Sequence, residues 1–223
     1  MSAPVVLVVA KAPVPGLAKT RIAATVGDEA AAEIAAAALL DTLTTATATG
    51  WDVVVAMTGD LDAAARSDEI GAALEPLTVI EQRGEDFAHR LANAHVDVDA
   101  PDGVVQVGMD TPQLLVADYL DAGRRVEIGG RVLGPASDGG WWLLGLPDPS
   151  EAVALADVPM STDDTAVLTE QALGGEIIRL RTVRDMDTWD DAVAIAREIP
   201  ISHLADAISG LSPASDDVEQ GPS

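Results

Sequence analysis

Runs of apolar residues alternate with amphipathic stretches along most of the chain. Residues 5–9 are all apolar and mostly β-branched, a pattern typical of a strand buried on both faces. In residues 28–49, apolar positions recur with helical spacing and share one face. The same alternation continues, with strands predicted at 53–57, 77–80 and 104–109, and helices at 61–74, 86–96 and 114–122. Strands that alternate with helices predict a mostly parallel sheet covered on both faces.

The pattern changes after residue 124. Glycine-rich, strand-like segments at 131–134 and 141–146 predict a small antiparallel insertion. The later pattern predicts helices at 163–173 and after Thr188, with a strand at 177–180 between them. Residues 212–223 contain no large apolar residue except Val218. We therefore expect residues 1–210 to form one domain and residues 211–223 to be a disordered acidic tail.

Composition narrows the possible partners. The 223 residues include 13 basic and 37 acidic residues, a formal charge of −24 that disfavours binding to nucleic acid or to anionic membranes. Cysteine is absent, which excludes disulfides, thiolate catalysis and cysteine zinc sites. No apolar stretch is long enough for a membrane span, and residues 1–10 lack the features of a signal peptide. We expect a cytoplasmic protein; the sequence does not indicate its oligomeric state.

A basic loop, KAPVPGLAKTR, follows the first predicted strand. It contains both lysines of the chain, Lys11 and Lys19, together with Arg21. Ligands of open α/β sheets bind beyond the carboxyl ends of the strands, where this loop lies. Gly16 permits close backbone approach, and Pro15 limits the freedom of the loop. We interpret the loop as a site for a di- or triphosphate; the alternative is a solvated basic loop.

Acidic residues in two segments are candidate metal ligands. One segment follows the strand predicted at 104–109, and the other precedes the helix predicted after Thr188. Asp110 directly follows a predicted buried strand, and a carboxylate there could hold Mg²⁺ or Mn²⁺ against phosphates. Asp187 is the candidate second ligand, with Asp185 as its substitute. The alternatives are that Asp110 is a turn residue before Pro112, and that Asp187 favours the dipole of the helix after Thr188.

The segment GPASDGGWWLLGL is unusual in a chain with 3% aromatic residues. Because adjacent strand residues point to opposite faces, one of Trp141 and Trp142 could pack in the core and the other could offer a platform to a sugar or base. Asp138 could bind hydroxyls or act as a base. Gly139 and Gly140 could let the backbone approach a ligand or could simply form a turn. The alternative is that both rings pack in the core.

Two further groups are weaker candidates. Ser161, Thr162 and Asp163 precede a predicted helix, and helix N-termini bind anions, so an acceptor phosphate or carboxylate could bind there. Helix capping explains these residues equally well. Arg90, near a predicted strand-to-helix junction, could reach the nucleotide; a surface salt bridge is the alternative.

Four motifs follow one another along the chain. They are K-x-P-x-P-G-x-x-K-T-R at 11–21, G-x-D-x-P-x-L at 108–114, G-P-x-x-D-G-G-W-W-L-x-G-L at 134–146 and D-x-D-T at 185–188. Together they resemble the GT-A superfamily, the nucleotide-diphosphosugar transferases. The closest resemblance is to a small bacterial family of glycosyltransferase-like proteins of unknown function, some of whose members are labelled arsenosugar-biosynthesis glycosyltransferases. The resemblance covers about residues 5–200 and implies a single GT-A (Rossmann-like) α/β domain.

The resemblance implies a metal-dependent transferase that moves a sugar from a nucleotide sugar to a small acceptor. Lys11, Lys19 and Arg21 would stabilise charge on the leaving phosphates, and Asp138 would orient or deprotonate the acceptor.

One departure from the pattern keeps a second reaction open. Superfamily members often show Asp-x-Asp where this chain has Gly108-Met109-Asp110. The alternative is a nucleotidyltransferase that joins a nucleoside triphosphate to a phosphorylated acceptor and releases pyrophosphate. The AKTR segment resembles the corresponding segment of phospholactate guanylyltransferases, which are nucleotidyltransferases. A third possibility is a nucleotide-binding protein without catalysis.

Overall fold

The structure, a computed structural model, describes residues 3–211, and within this range seven strands form one sheet. The order is β3-β2-β1-β4-β6-β5-β7, and β6 is antiparallel to both of its neighbours whereas the other pairs are parallel. This confirms the predicted, mostly parallel sheet with an antiparallel portion. The strands are β1 (Val5–Lys11), β2 (Val53–Thr58), β3 (Thr78–Glu81), β4 (Val104–Gly108), β5 (Arg131–Pro135), β6 (Trp141–Leu146) and β7 (Ile177–Arg179).

Helices cover both faces of the sheet. They are α1 (Thr20–Val26), α2 (Asp28–Thr47), α3 (Ser67–Leu74), α4 (Phe87–Asp97), α5 (Val116–Glu127), α6 (Thr165–Leu173), α7 (Trp189–Glu198) and α8 (His203–Ser209), with a 3₁₀ helix at Pro149–Asp157. The sequence pattern did not predict α1, α8 or the 3₁₀ helix. Within the described residues, no helix has both the length and the apolar composition needed to cross a membrane.

The core consists of two apolar layers and a smaller cluster. Alternate residues of β1 point to opposite faces, so Val6 and Val8 pack into the first cluster with α2 and α5, and Leu7 packs into the second cluster with α4. A third cluster joins α1, α2, α7 and α8. Leu211 packs against this third cluster, although we expected the tail to begin there. The rest of the expected tail, 212–223, lies outside the described residues.

Strand direction determines which residues meet at one edge of the sheet. The carboxyl ends of β1, β4 and β5 lie together because these strands run the same way. Since β6 runs in the opposite direction, its first residue, Trp141, lies at that same edge. The basic loop, Asp110, and the turn that carries Asp138 are thereby brought to one place.

Candidate active site

A crevice of about 710 Å³ opens at this edge of the sheet. It brings together residues from all four motifs. Of the residues predicted to form a site, only Pro15, Gly16 and Gly139 do not line it. Those that do are Lys11, Lys19, Arg21, Arg90, Asp110, Asp138, Gly140, Trp141, Trp142, Ser161, Thr162, Asp163, Asp185 and Asp187.

Lys19 connects three segments at the centre of the crevice. Its ammonium lies 2.9 Å from Oδ1 of Asp110 and donates a hydrogen bond to the carbonyl oxygen of Met186. Its backbone is left-handed, with a φ of 47°, an uncommon conformation for a residue other than glycine. Only 10% of the side chain is exposed. Lys19 is therefore held in one position between the basic loop, the end of β4 and residues 185–187.

The two predicted metal-binding segments are in contact. The backbone N–H of Met186 donates to the carbonyl oxygen of Asp110 at 2.9 Å, so Asp185 and Asp187, on either side of Met186, lie next to Asp110. Asp187 also pairs with the guanidinium of Arg21. The alternative role of Asp110 as a simple turn residue does not account for its ion pair with Lys19.

Negative charge is incompletely balanced around Asp185. The pKa of the Asp185 carboxyl is raised, and burial is the largest cause. The nearby carboxylates of Asp138 and Asp187 raise this pKa further, whereas Lys19 lowers it. A bound cation would relieve this repulsion. Within residues 3–211 no group of three or more His, Cys, Asp or Glu side chains is arranged to hold a metal ion. Magnesium, however, commonly binds one or two carboxylates and completes its coordination shell with water and substrate phosphate oxygens. The carboxylates of Asp110, Asp185 and Asp187 fit this type of site.

The rest of the basic loop is held by a turn and an internal hydrogen bond. Lys11 is exposed, and its ammonium donates to the carbonyl oxygen of Leu17 at 2.9 Å, which closes the loop on itself. Gly16 has a φ of +75°, and Pro15 precedes it outside the crevice lining. Gly16 is thus favoured by the backbone conformation of the turn, whereas both lysines and Arg21 line the crevice.

The two tryptophans differ in burial. Trp142 is 3% exposed, packs in the first cluster and donates through Nε1 to the carbonyl oxygen of Arg181 at 3.0 Å. Trp141 is partly exposed and donates through Nε1 to Oγ1 of Thr169 at 3.1 Å. Both residues line the crevice, and Trp141 is the one whose side chain has accessible surface.

The turn between β5 and β6 is fixed from two sides. Oδ1 of Asp138 accepts a hydrogen bond from the backbone N–H of Gly140 at 2.8 Å, and the Asp138 side chain is exposed to the crevice. Gly139 has a φ of +89°, and a Cβ there would lie 1.9 Å from the carbonyl oxygen of Asp163. Gly139 therefore permits close packing of two loops rather than approach of a ligand.

Residues 161–163 form a loop before α6 and not its first turn. The helix begins at Thr165, two residues later than predicted, and Ser161 has a φ of 61°. Oγ1 of Thr165 accepts from the backbone N–H of Thr162 at 3.0 Å and donates to the carbonyl oxygen of Pro159 at 3.1 Å. Helix capping by Ser161 is therefore wrong as an explanation, although Ser161, Thr162 and Asp163 do line the crevice.

Sequence reasoning missed several buried polar residues that line the crevice, among them Gln82, Gln106 and Thr111. Gln82 donates through Nε2 to the carbonyl oxygens of Ala10 and Ala56, at 2.7 and 2.8 Å, and so links the ends of β1 and β2. Gln106 is 2% exposed and its Oε1 has no hydrogen-bond partner within the described residues. Thr111 is 4% exposed and its Oγ1 likewise has no partner there. Such groups cost roughly 1–3 kcal/mol each. A glutamine inside the apolar strand VVQVG was the available signal.

The comparisons with known proteins agree with this fold. Residues 40–162 match the model of a family described as uncharacterized protein conserved in bacteria (DUF2064), and the chain belongs to this family. No curated protein matches the chain. Among solved structures, a Desulfovibrio desulfuricans G20 protein provisionally assigned as a nucleotide-diphospho-sugar transferase has a TM-score of 0.81 at 25% identity, and the match covers 94% of this chain and 95% of that one.

More distant structures share the fold alone. Rv0371c of Mycobacterium tuberculosis H37Rv, solved in complex with manganese, has a TM-score of 0.53 at 18% identity over 87% of this chain and 98% of that one. The 4-diphosphocytidyl-2C-methyl-D-erythritol synthase of Anaerococcus prevotii DSM 20548 has a TM-score of 0.58 at 10% identity over 88% and 99%. The chain therefore has the GT-A-like fold that the sequence resemblance implied.

Proposed function

We propose that this protein is a metal-dependent transferase that binds a nucleotide-diphosphate sugar in the crevice and transfers the sugar to a small acceptor. The observation that carries the proposal is the junction of Lys19, Asp110 and residues 185–187, where cations from the basic loop meet carboxylates from two other segments. The provisional assignment of the Desulfovibrio neighbour, which is similar over nearly the whole chain, supports it.

The basic loop is the proposed site for the diphosphate. An ammonium has three N–H donors, so Lys19 can contact a phosphate oxygen while it keeps its contacts to Asp110 and to the carbonyl of Met186. Arg21 and Lys11 are exposed on the same side and can close on the phosphates. During transfer the leaving nucleoside diphosphate gains negative charge, and cations already in place stabilise it.

Asp110, with Asp187 or Asp185, would hold Mg²⁺ or Mn²⁺. When bound, the divalent cation would neutralise charge on the diphosphate oxygens. The distant neighbour Rv0371c was solved in complex with manganese, which supports a divalent metal here.

The acceptor would lie on the side of Asp138 and Trp141. Asp138 is exposed at the crevice, so its carboxylate can orient an acceptor hydroxyl or take its proton. The partly exposed ring of Trp141 can pack against the apolar face of a sugar. Gly140 and the loop of Ser161, Thr162 and Asp163 border the same space.

A second candidate is a nucleotidyltransferase that attacks the α-phosphate of a nucleoside triphosphate. The separation of the carboxylates favours it. Residue 108 is glycine, so the segment that follows β4 supplies Asp110 alone, and the other carboxylates come from the remote segment 185–187. Separated carboxylates suit metals that bridge a triphosphate chain.

Calorimetry of the Asp110→Asn variant tests the shared part of both candidates. We expect the variant to bind a nucleoside diphosphate with Mg²⁺ at least tenfold more weakly than the wild type, because it loses a proposed metal ligand. Asp190→Asn is the matched control, since it removes an exposed carboxylate on α7 that does not line the crevice. Equal affinities in both variants, with Mg²⁺ present, would contradict the metal role of Asp110.

A further inference from the structure

Arg90 differs from the other arginines of the protein. All eleven lie within the described residues, and nine of them donate to a carboxylate or a backbone carbonyl there. Arg90 and Arg197 have no such partner in that part of the chain. Arg197 is exposed on α7, whereas Arg90 is half-buried and lines the crevice. The nine paired arginines are Arg21, Arg66, Arg83, Arg124, Arg125, Arg131, Arg179, Arg181 and Arg184.

The nearest acid on the same helix does not neutralise Arg90. Asp86 caps α4, and its Oδ1 accepts from the backbone N–H and lies 2.9 Å from Nδ1 of His89. It affects Arg90 only through the longer-range attraction of opposite charges. The guanidinium carbon of Arg90 lies 5.7 Å from the centroid of the Phe87 ring. Nε of Arg90 is buried without a hydrogen-bond partner in the described part of the chain.

Gln106 lies on the same face of the sheet. Its strand neighbours Val105 and Val107 pack into the first cluster, so its side chain points to the opposite face, the one that α4 covers. It is 2% exposed, lines the crevice, and its Oε1 has no partner within residues 3–211. Two unpartnered polar groups thus border one end of the crevice from α4 and β4.

Apolar side chains line the crevice together with these groups. Leu91, Trp141 and Met160 belong to the second cluster or pack against it, and all three line the crevice. The cations of the proposed phosphate site, Lys19 and Arg21, come from a different segment of the chain and are engaged with Asp110 and Asp187. Arg90 therefore adds a cation to the crevice from α4, with apolar side chains beside it.

We propose that Arg90 and Gln106 bind a carboxylate or phosphate group of the second substrate, the acceptor, while its body packs against Trp141 and Met160. This rests on the proposed function, and it assigns Arg90 to the acceptor instead of the nucleotide. A guanidinium supplies parallel N–H donors that match both anions. Gln106 would contribute its Nε2–H donors, and its unpartnered Oε1 can accept from an O–H of the same acceptor, such as that of a monohydrogen phosphate. The acceptor is accordingly a small anion.

NMR titration of the full-length protein tests the assignment with two probes, inorganic phosphate and acetate. The readouts are the Arg Nε–H resonances and the dissociation constants in wild type, Arg90→Gln, Arg197→Gln and Lys19→Ala. A parallel titration with a nucleoside diphosphate and Mg²⁺ reports on the phosphate site. Arg197→Gln is the matched control because it removes the other arginine that donates to neither a carboxylate nor a backbone carbonyl within residues 3–211, and Arg197 does not line the crevice.

We expect at least one probe to shift the Arg90 resonance, and its affinity to fall tenfold or more in Arg90→Gln but to persist in Lys19→Ala and Arg197→Gln. Nucleotide affinity should show the reverse pattern, falling in Lys19→Ala alone. If phosphate or acetate binds as expected but nucleoside diphosphate with Mg²⁺ does not bind, the anion site stands and only the proposed function is contradicted. The site is overturned if neither probe binds, if Lys19→Ala alone abolishes binding of the anions, or if Arg90→Gln weakens nucleotide as much as the probes.

Gln106→Met separates ligand binding from a structural role. The substitution keeps the size of the side chain and removes a buried amide that has an unpartnered oxygen. We expect weaker binding of phosphate or acetate together with an unchanged or higher melting temperature. A lower melting temperature with unchanged affinity would show that Gln106 serves the core alone, and would overturn its part in the site.

Discussion

At the scale of single residues, Lys19 combines a strained backbone with a nearly buried charge. Local strain of this kind is retained where surrounding contacts fix it, and at Lys19 those contacts are Asp110 and the carbonyl of Met186. The confinement of both lysines to one loop was visible in the sequence. The left-handed conformation and the partners were not, because they depend on segments more than 90 residues away.

Lys19→Ala should weaken binding of a nucleoside diphosphate by tenfold or more, because charge-assisted hydrogen bonds contribute about 1.5–3 kcal/mol. Arg197→Ala is the appropriate control, since Arg197 is exposed and unpaired within the described chain. Arg131 is less suitable because it holds Glu151 and the carbonyl of Gly174 together. Calorimetry of both variants decides the matter, and equal affinities would indicate a solvated loop without a binding role.

His95 couples stability to pH. It is fully buried on α4, its Nδ1 lies 3.0 Å from the carbonyl oxygen of Leu91, and burial lowers its pKa to about 4. The unfolded chain, with an ordinary pKa near 6.5, binds the proton more readily, so stability is lost as the pH falls from 6.5 towards 4.

Between pH 7 and pH 5 the His95 contribution to the free energy of unfolding should fall by about 2 kcal/mol. Denaturant unfolding at both pH values measures the change. The variant His95→Leu should show a smaller loss over the same interval, and the difference between the two proteins isolates the histidine from the carboxylates. An identical loss in both would contradict the prediction.

At the scale of elements, long patterns were predicted well and short helices were not. The strands and α2 follow from apolar periodicity. The helix predicted after Thr188 is confirmed as α7, where Thr188 and Asp191 form a capping box. Both α1 and α8 have seven residues, too short for a clear period. The start of α8 also depends on Asp41 of α2, a contact between residues 162 positions apart that no local pattern shows.

Asp41→Ala should destabilise the packing of α8 on α2. The two oxygens of the buried Asp41 carboxylate accept from the backbone N–H groups of His203 and Leu204, each at 2.9 Å. Loss of this capping leaves two donors without a partner, and we expect the free energy of unfolding to fall by about 1–3 kcal/mol. Asp41→Asn retains one acceptor oxygen and should lose less. Similar losses in denaturant unfolding for both variants would contradict the capping role.

At the scale of the whole molecule, sheet topology explains why four motifs spread over most of the chain form one crevice. The order of the motifs and the parallel alternation predicted a common edge. The antiparallel β6 determines that Trp141 also reaches it, and the sequence did not fix the position of β6 next to β4. Gln106 was not predicted to line the crevice, because a residue within a buried strand is ordinarily part of the core.

The product released from a nucleotide substrate distinguishes the candidate reactions. A glycosyltransferase breaks its donor beyond the β-phosphate, whereas a nucleotidyltransferase needs a triphosphate and releases pyrophosphate. We expect slow, metal-dependent release of nucleoside diphosphate from a UDP- or GDP-sugar, because water can enter the open crevice in place of the acceptor, and we expect this release to disappear in Asp110→Asn. Coupled assays for nucleoside diphosphate and for pyrophosphate measure the two products. Pyrophosphate formed from a triphosphate and a phosphorylated acceptor, with nucleotide sugars untouched, would support the nucleotidyltransferase instead. Nucleotide binding without turnover of either donor would indicate a protein that binds nucleotides without catalysis.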